Sequence, residues 1–168
     1  QHADSTKKGA FTLSGSVDAY YRYNFQNAKD VKATNNFTSF TNTHNSFELG
    51  MASLKAEYAI GKVSAVADLG FGKRAQDFSY LDSGVLAGVK QAYVSVNATD
   101  NLKFTIGKWA THVGYELVDA YLNRNYSMSY MFSYGPFSHT GLKAEYTIGN
   151  FGFMVGVANP TDMVTANF

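Results

Sequence analysis

The 168-residue chain has no cysteine, which excludes a disulfide framework and thiolate chemistry. It has two prolines and only 16% charged residues, and with its many rings and glycines this argues against disorder and for a β-protein. The formal charge of +1 gives no reason to expect nucleic acid or a polybasic membrane contact. No apolar run approaches the ~18 residues of a transmembrane helix. A bilayer contact would therefore require a closed barrel, since only helices and edge-free sheets satisfy every backbone group in lipid. The chain starts at Gln1 with neither Met nor a basic–apolar leader, so any signal peptide is expected to have been removed. The polar residues 1–10 read as a flexible lead-in on the periplasmic side, and residues 11–168 as one β-barrel domain.

What is present is alternation. Phe11, Leu13, Val17, Ala19, Tyr21, Tyr23 and Phe25 share one parity, and Thr12, Ser14, Ser16, Asp18, Arg22, Asn24 and Gln26 the other. Successive side chains of a strand point to opposite faces, so this segment has one charge-free and one hydrophilic face. Its length exceeds the ~9–11 tilted residues that cross hydrocarbon. The pattern returns over Asn45–Ile60, Val63–Phe71, Ala92–Ala98, Leu102–Ile106, Leu142–Ile148 and Phe151–Val157. In the second of these strands, Phe47, Leu49 and Met51 share one parity and Leu54, Ala56, Tyr58 and Ile60 the other. That phase change predicts a β-bulge near Ala52–Ser53.

Seven strands imply six connections, and their lengths alternate. Roughly Gln26–His44, Lys73–Gly88 and Thr111–Thr140 are long and polar, and the other three are tight turns. Short periplasmic turns and long outer loops are the asymmetry of bacterial barrels, which predicts a periplasmic N-terminus. Tyr58 and Tyr146 then fall near the inner rim, and Tyr23, Phe25 and Trp109 near the outer one, as girdles. Asp18, Arg22, Glu48, Lys55, Glu57, Asp68, Lys103, Lys143 and Glu145 occupy the polar parity, the expected lumen wall. A lysine or arginine on the lipid face at mid-depth would cost ~2–4 kcal/mol, and none is placed there. The wall's mixed signs predict weak ion selectivity, because selective pores concentrate one sign.

The segments Phe11–Tyr21 and Asn45–Gly50 resemble the N-terminal strands of OmpL-like outer-membrane porins. Ile106-Gly107-Lys108-Trp109-Ala110-Thr111-His112-Val113-Gly114-Tyr115-Glu116, with Tyr134-Gly135-Pro136-Phe137-Ser138-His139-Thr140-Gly141, is similar to the surroundings of the third long loop in such porins. The resemblance implies passive passage of small hydrophilic solutes across a bacterial outer membrane, with no cofactor and no catalysis. It also implies a chain about twice this length. The odd strand count agrees, since bacterial single-chain barrels have even counts. The expected fold is therefore an all-β, antiparallel transmembrane up-and-down barrel, incomplete at about seven strands. Outer-membrane lipid and small solutes are the expected partners, and a homo-oligomer would suit a porin.

A loop as long as Thr111–Thr140 is uncommon unless functional. Folded into a lumen it would narrow it, and Tyr115, Glu116, Asp119, Tyr121, Arg124, Tyr126 and Tyr130 are the candidate constriction residues. A lid or a contact between protomers is the competing reading of the same loop. His112 and Glu116 stand four apart, as helical metal ligands would, but no third ligand lies nearby and Gly114 opposes a helix. Ser138-His139 lacks an orienting third group in sequence, so no metal or hydrolytic site is expected. Two other readings stay open. One is a soluble lipocalin-type barrel with its apolar face inward, which detergent-free extraction would reveal. The other is a non-conducting outer-membrane barrel that binds a partner through its long loops.

Overall fold

The computed structural model describes residues 8–25 and 38–167. Most of the predicted lead-in (1–7) and most of the first long connection (26–37) lie outside the described residues. The strands in chain order are β1 (Ala10–Arg22), β2 (Thr38–Ser39), β3 (Ser46–Ile60), β4 (Val63–Phe71), β5 (Val89–Asn97), β6 (Leu102–Ala110), β7 (Met128–Ser129), β8 (Ser138–Ile148) and β9 (Phe151–Ala158). Seven of them, the seven predicted by alternation, form one antiparallel sheet in the order β1-β3-β4-β5-β6-β8-β9. Each long strand pairs with the next long strand in the chain, and the sheet does not close on itself. The short β2 and β7 pair with each other and join the first long connection to the third.

The register lines up the polar parity across the sheet. Ser14, Lys55, Asp68 and Gln91 form one row, and Asn97, Lys103 and Glu145 another. Between them the Ser95 and Thr105 hydroxyls meet at 2.8 Å. The opposite face is apolar and uncovered: Phe11, Val17, Phe47, Ile106, Phe153 and Val155 all stay exposed. An apolar face this extensive far exceeds what a monomer in water usually presents.

Four sequence expectations need correction. The bulge in β3 sits at Gly50, where Asp18 faces Met51 and Ala19 faces Leu49, two to three residues before Ala52–Ser53. Met51 therefore leaves the apolar face and is fully buried on the polar one. The stretch Lys73–Gly88 is not plain polar loop. It opens with helix α1 (Lys73–Phe78) and closes with a 3-10 turn (Gly84–Gly88), and Arg74, Ala75 and Phe78 are buried. Nor does Trp109 join an outer girdle. It is 5% exposed, with the Lys143 ammonium 5.2 Å above its ring. Tyr23, Phe25, Tyr58 and Tyr146 do remain exposed.

The buried core does not lie behind the sheet. Phe40, Met51, Ala75, Phe78, Val118, Met128 and Phe137, with Phe132 beside them, come mostly from the three long connections. Phe40 meets Phe132 and Phe137 edge-on at 5.4 and 5.6 Å, and Phe78 tilts against Phe137 at 5.8 Å. Burying a side chain of this size contributes roughly 1.5–3 kcal/mol, enough to hold polar loops together. The described parts of the long connections are thus one packed body, carried at one end of the sheet.

Candidate functional site

The Thr111–Thr140 connection folds back over the polar face instead of standing away from it. Locally it is cross-tied. The Leu117 N–H donates to Asn123 Oδ1 at 2.9 Å, and Asn123 Nδ2 returns to the Leu117 carbonyl at 2.6 Å. The Ser129 N–H donates to Glu116 Oε1 at 2.8 Å, and the Ser129 hydroxyl to Glu116 Oε2. Two 3-10 turns, Ala120–Leu122 and Phe132–Tyr134, shape the remainder. A loop without long strands keeps a defined path because its own side chains replace the missing backbone ladder.

Two anchors fix this loop to the sheet. Asp119 accepts from Lys90 Nζ at 2.7 and 2.9 Å, and the same ammonium reaches Asp68 Oδ1 at 3.1 Å and Ser53 Oγ at 2.8 Å. Lys90 and Asp68 are almost wholly buried, and Gln91 Nε2 donates to the second Asp68 oxygen at 3.1 Å. Removing one member of such a buried group costs about 3–5 kcal/mol, because the others are left charged and unpaired. The second anchor is Tyr126, whose hydroxyl donates to Asp18. Arg74, fully buried in α1, donates to the Tyr126 carbonyl at 2.9 Å and lies 4.8 Å over its ring. Burial first, and then the bond to Asp18, push the Tyr126 phenol up to about 12.

The predicted wall charges all find partners. Lys55 pairs with Glu57 at 3.0 Å, Lys103 with Glu145 at 3.0 Å, and Lys143 with Glu145 at 3.2 Å. Glu48 accepts from the Tyr20 hydroxyl at 2.6 Å, and Arg22 donates to the Thr41 carbonyl at 3.1 Å. The predicted loop residues separate by role. Asp119 and Tyr126 hold the wall, and Glu116 holds the loop itself. Tyr121 lines a pocket of about 150 Å³ between loop and sheet. Tyr115, Arg124 and Tyr130 are exposed on the loop. His112 and Glu116 do not meet as ligands. His112 stacks on His139 at 4.8 Å, while Glu116 is committed to Ser129.

Sequence reasoning missed Lys90, Lys108, Arg74, Asp82 and Asp162. Lys108 Nζ binds Asp82 at 2.7 Å, both side chains buried. Asp162 Oδ1 accepts from the Phe137 and Ser138 N–H groups at 2.6 and 2.8 Å, tying the end of the loop to the residues beyond β9. A signal was available for the two lysines. Carried back along its strand, alternation puts each on the apolar parity, where a charge is not tolerated. For Lys90 the resolution is a register shift, with Asp68 facing Gln91 and Leu69 facing Val89. For Lys108 it is Gly107, whose φ of +129° is followed by two buried residues in succession.

No curated protein and no solved structure matches the chain. A family model described as "Putative beta-barrel porin-2, OmpL-like" matches residues 10–168. With essentially its whole length covered, the chain belongs to this OmpL-like β-barrel porin family, a membership that implies the outer membrane as its location.

Proposed function

We propose that this protein is a diffusion porin, passing small hydrophilic solutes through a water-filled lumen lined by the polar parity of its strands. The uncovered apolar face meets outer-membrane lipid, the N-terminus is periplasmic, and the Thr111–Thr140 loop narrows the bore. Family membership favours a channel or structural protein over an enzyme. The observation that carries the reading is the docking of that loop on the polar face through Asp119–Lys90 and Tyr126–Asp18. A loop lying outside the bore would not reach Asp18, four residues inside the end of β1, or the buried Lys90–Asp68 pair on the polar face.

Planar-bilayer recording of the native, detergent-extracted protein tests it. Stable ohmic steps with weak ion selectivity are the expected result. Deleting Asp119–Ser127 removes both anchors and should raise the unit conductance, whereas unchanged conductance would remove the constriction. One observation favours a second reading: the aromatic core from Phe40 to Phe137 packs the long connections into a solid body. A silent, folded barrel would shift the assignment to a plugged structural protein that acts through its outer surface.

A further inference from the structure

Resting on the porin reading, we propose that the pocket between the loop and the sheet is a subsite for neutral polyhydroxylated solutes, such as monosaccharides. The pocket has two unlike walls. On the sheet side stand Ser14, Ser16, Lys55 and Gln91, which offer hydroxyl, ammonium and amide groups. On the loop side stand Leu117, Tyr121 and Leu122, all exposed, with Tyr121 69% accessible. A pyranose or furanose has the complementary shape, with an apolar C–H face and a rim of hydroxyls. Its face would lie on Tyr121 and its rim would exchange hydrogen bonds with the serines and Lys55, polar groups placed to orient a ligand over an apolar surface.

Charge points the same way. Every lysine around the pocket is matched: Lys55 by Glu57, and Lys90 by Asp68 and Asp119. Farther along the polar face Lys103 and Lys143 share Glu145, and Lys108 is matched by Asp82. The arginines Arg22 and Arg74 bind carbonyls, and against them Asp18 and Glu48 are held by tyrosine hydroxyls. Among the described residues of the strand wall, no single sign is left over to concentrate ions of the other sign. An anionic or cationic solute would enter without compensation for its lost hydration, whereas a neutral polyol exchanges water hydrogen bonds for equivalent ones.

The test uses the native protein in two assays. In proteoliposome swelling, D-glucose should enter several-fold faster than gluconate or protonated glucosamine, which differ from it mainly in charge. In bilayer recordings in KCl, glucose should interrupt the current transiently. Tyr121→Ala should abolish these interruptions and leave the open channel conducting. Equal or faster entry of the charged sugars, or an open channel that glucose never interrupts, would overturn the subsite and leave the pore standing. A barrel silent to KCl and closed to every solute would overturn both together.

Discussion

Tyr126 donates its hydroxyl proton to Asp18 while its carbonyl takes Arg74, so one residue joins strand β1, the long loop and helix α1. The phenol must stay protonated to make that bond. A folded-state value of about 12, above the ordinary ~10, means that its contribution is complete below about pH 10. It is lost as pH rises through the folded-state value. Conductance should therefore be flat from neutral pH to about pH 10 and increase toward pH 12. Tyr126→Phe, which lacks the proton, should start at the higher conductance and lose this alkaline rise. Bilayer recordings of both proteins in matched buffers decide it, and a wild-type trace with no rise would dissolve the latch. Asp119 and Tyr126 were legible as loop candidates because the loop holds only two acids and an unusual run of tyrosines. Tyr115, with the same chemistry as Tyr126, and the charged Arg124 remain exposed, since which loop side chain turns to the wall depends on partners far away in sequence.

At the level of strands, alternation identified all seven members of the sheet because one face is uniformly apolar. It failed where a strand gains a residue or a glycine breaks its phase. Met51, Lys90, Lys108 and Trp109 all lie beyond such a break, and these positions build much of the interior near the loops. Bulges re-aim side chains beside functional sites, which is their role at Gly50. A methyl group added to Gly50 would run into the Asp18 carboxylate and the Tyr126 hydroxyl. Gly50→Ala should consequently push the loop off β1 and raise conductance, while a parent-like circular dichroism spectrum shows that the barrel still folds. A variant that conducts like the parent would show that the bulge leaves the loop indifferent. Helix α1 was hidden for a different reason. Its six residues are too few to display a helical period, and its burial comes from Phe137 and Met51 rather than from its own pattern.

For the molecule as a whole, β1 and β9 are each paired on one side only. Unpaired strand edges are not tolerated in hydrocarbon, where no water is present to satisfy them. In outer-membrane vesicles the amides of β1 and β9 should exchange with deuterium as slowly as those of β4 and β5. Rapid exchange along either edge would contradict a sealed wall. The open, incomplete sheet was anticipated from strand parity and counts, whereas the packed body made by the described parts of the long connections was not, because its residues are scattered among polar sequence. That body also has a consequence for how the protein is made. Every strand pairing in the sheet joins neighbours along the chain, so hairpins can form and zip one after another at low loop-closure cost. The aromatic cluster instead draws on segments from Phe40 to Phe137 and cannot assemble until the intervening strands are in place. Maturation should thus be ordered in time: the sheet zips up first, and the body made by the long connections settles onto it last.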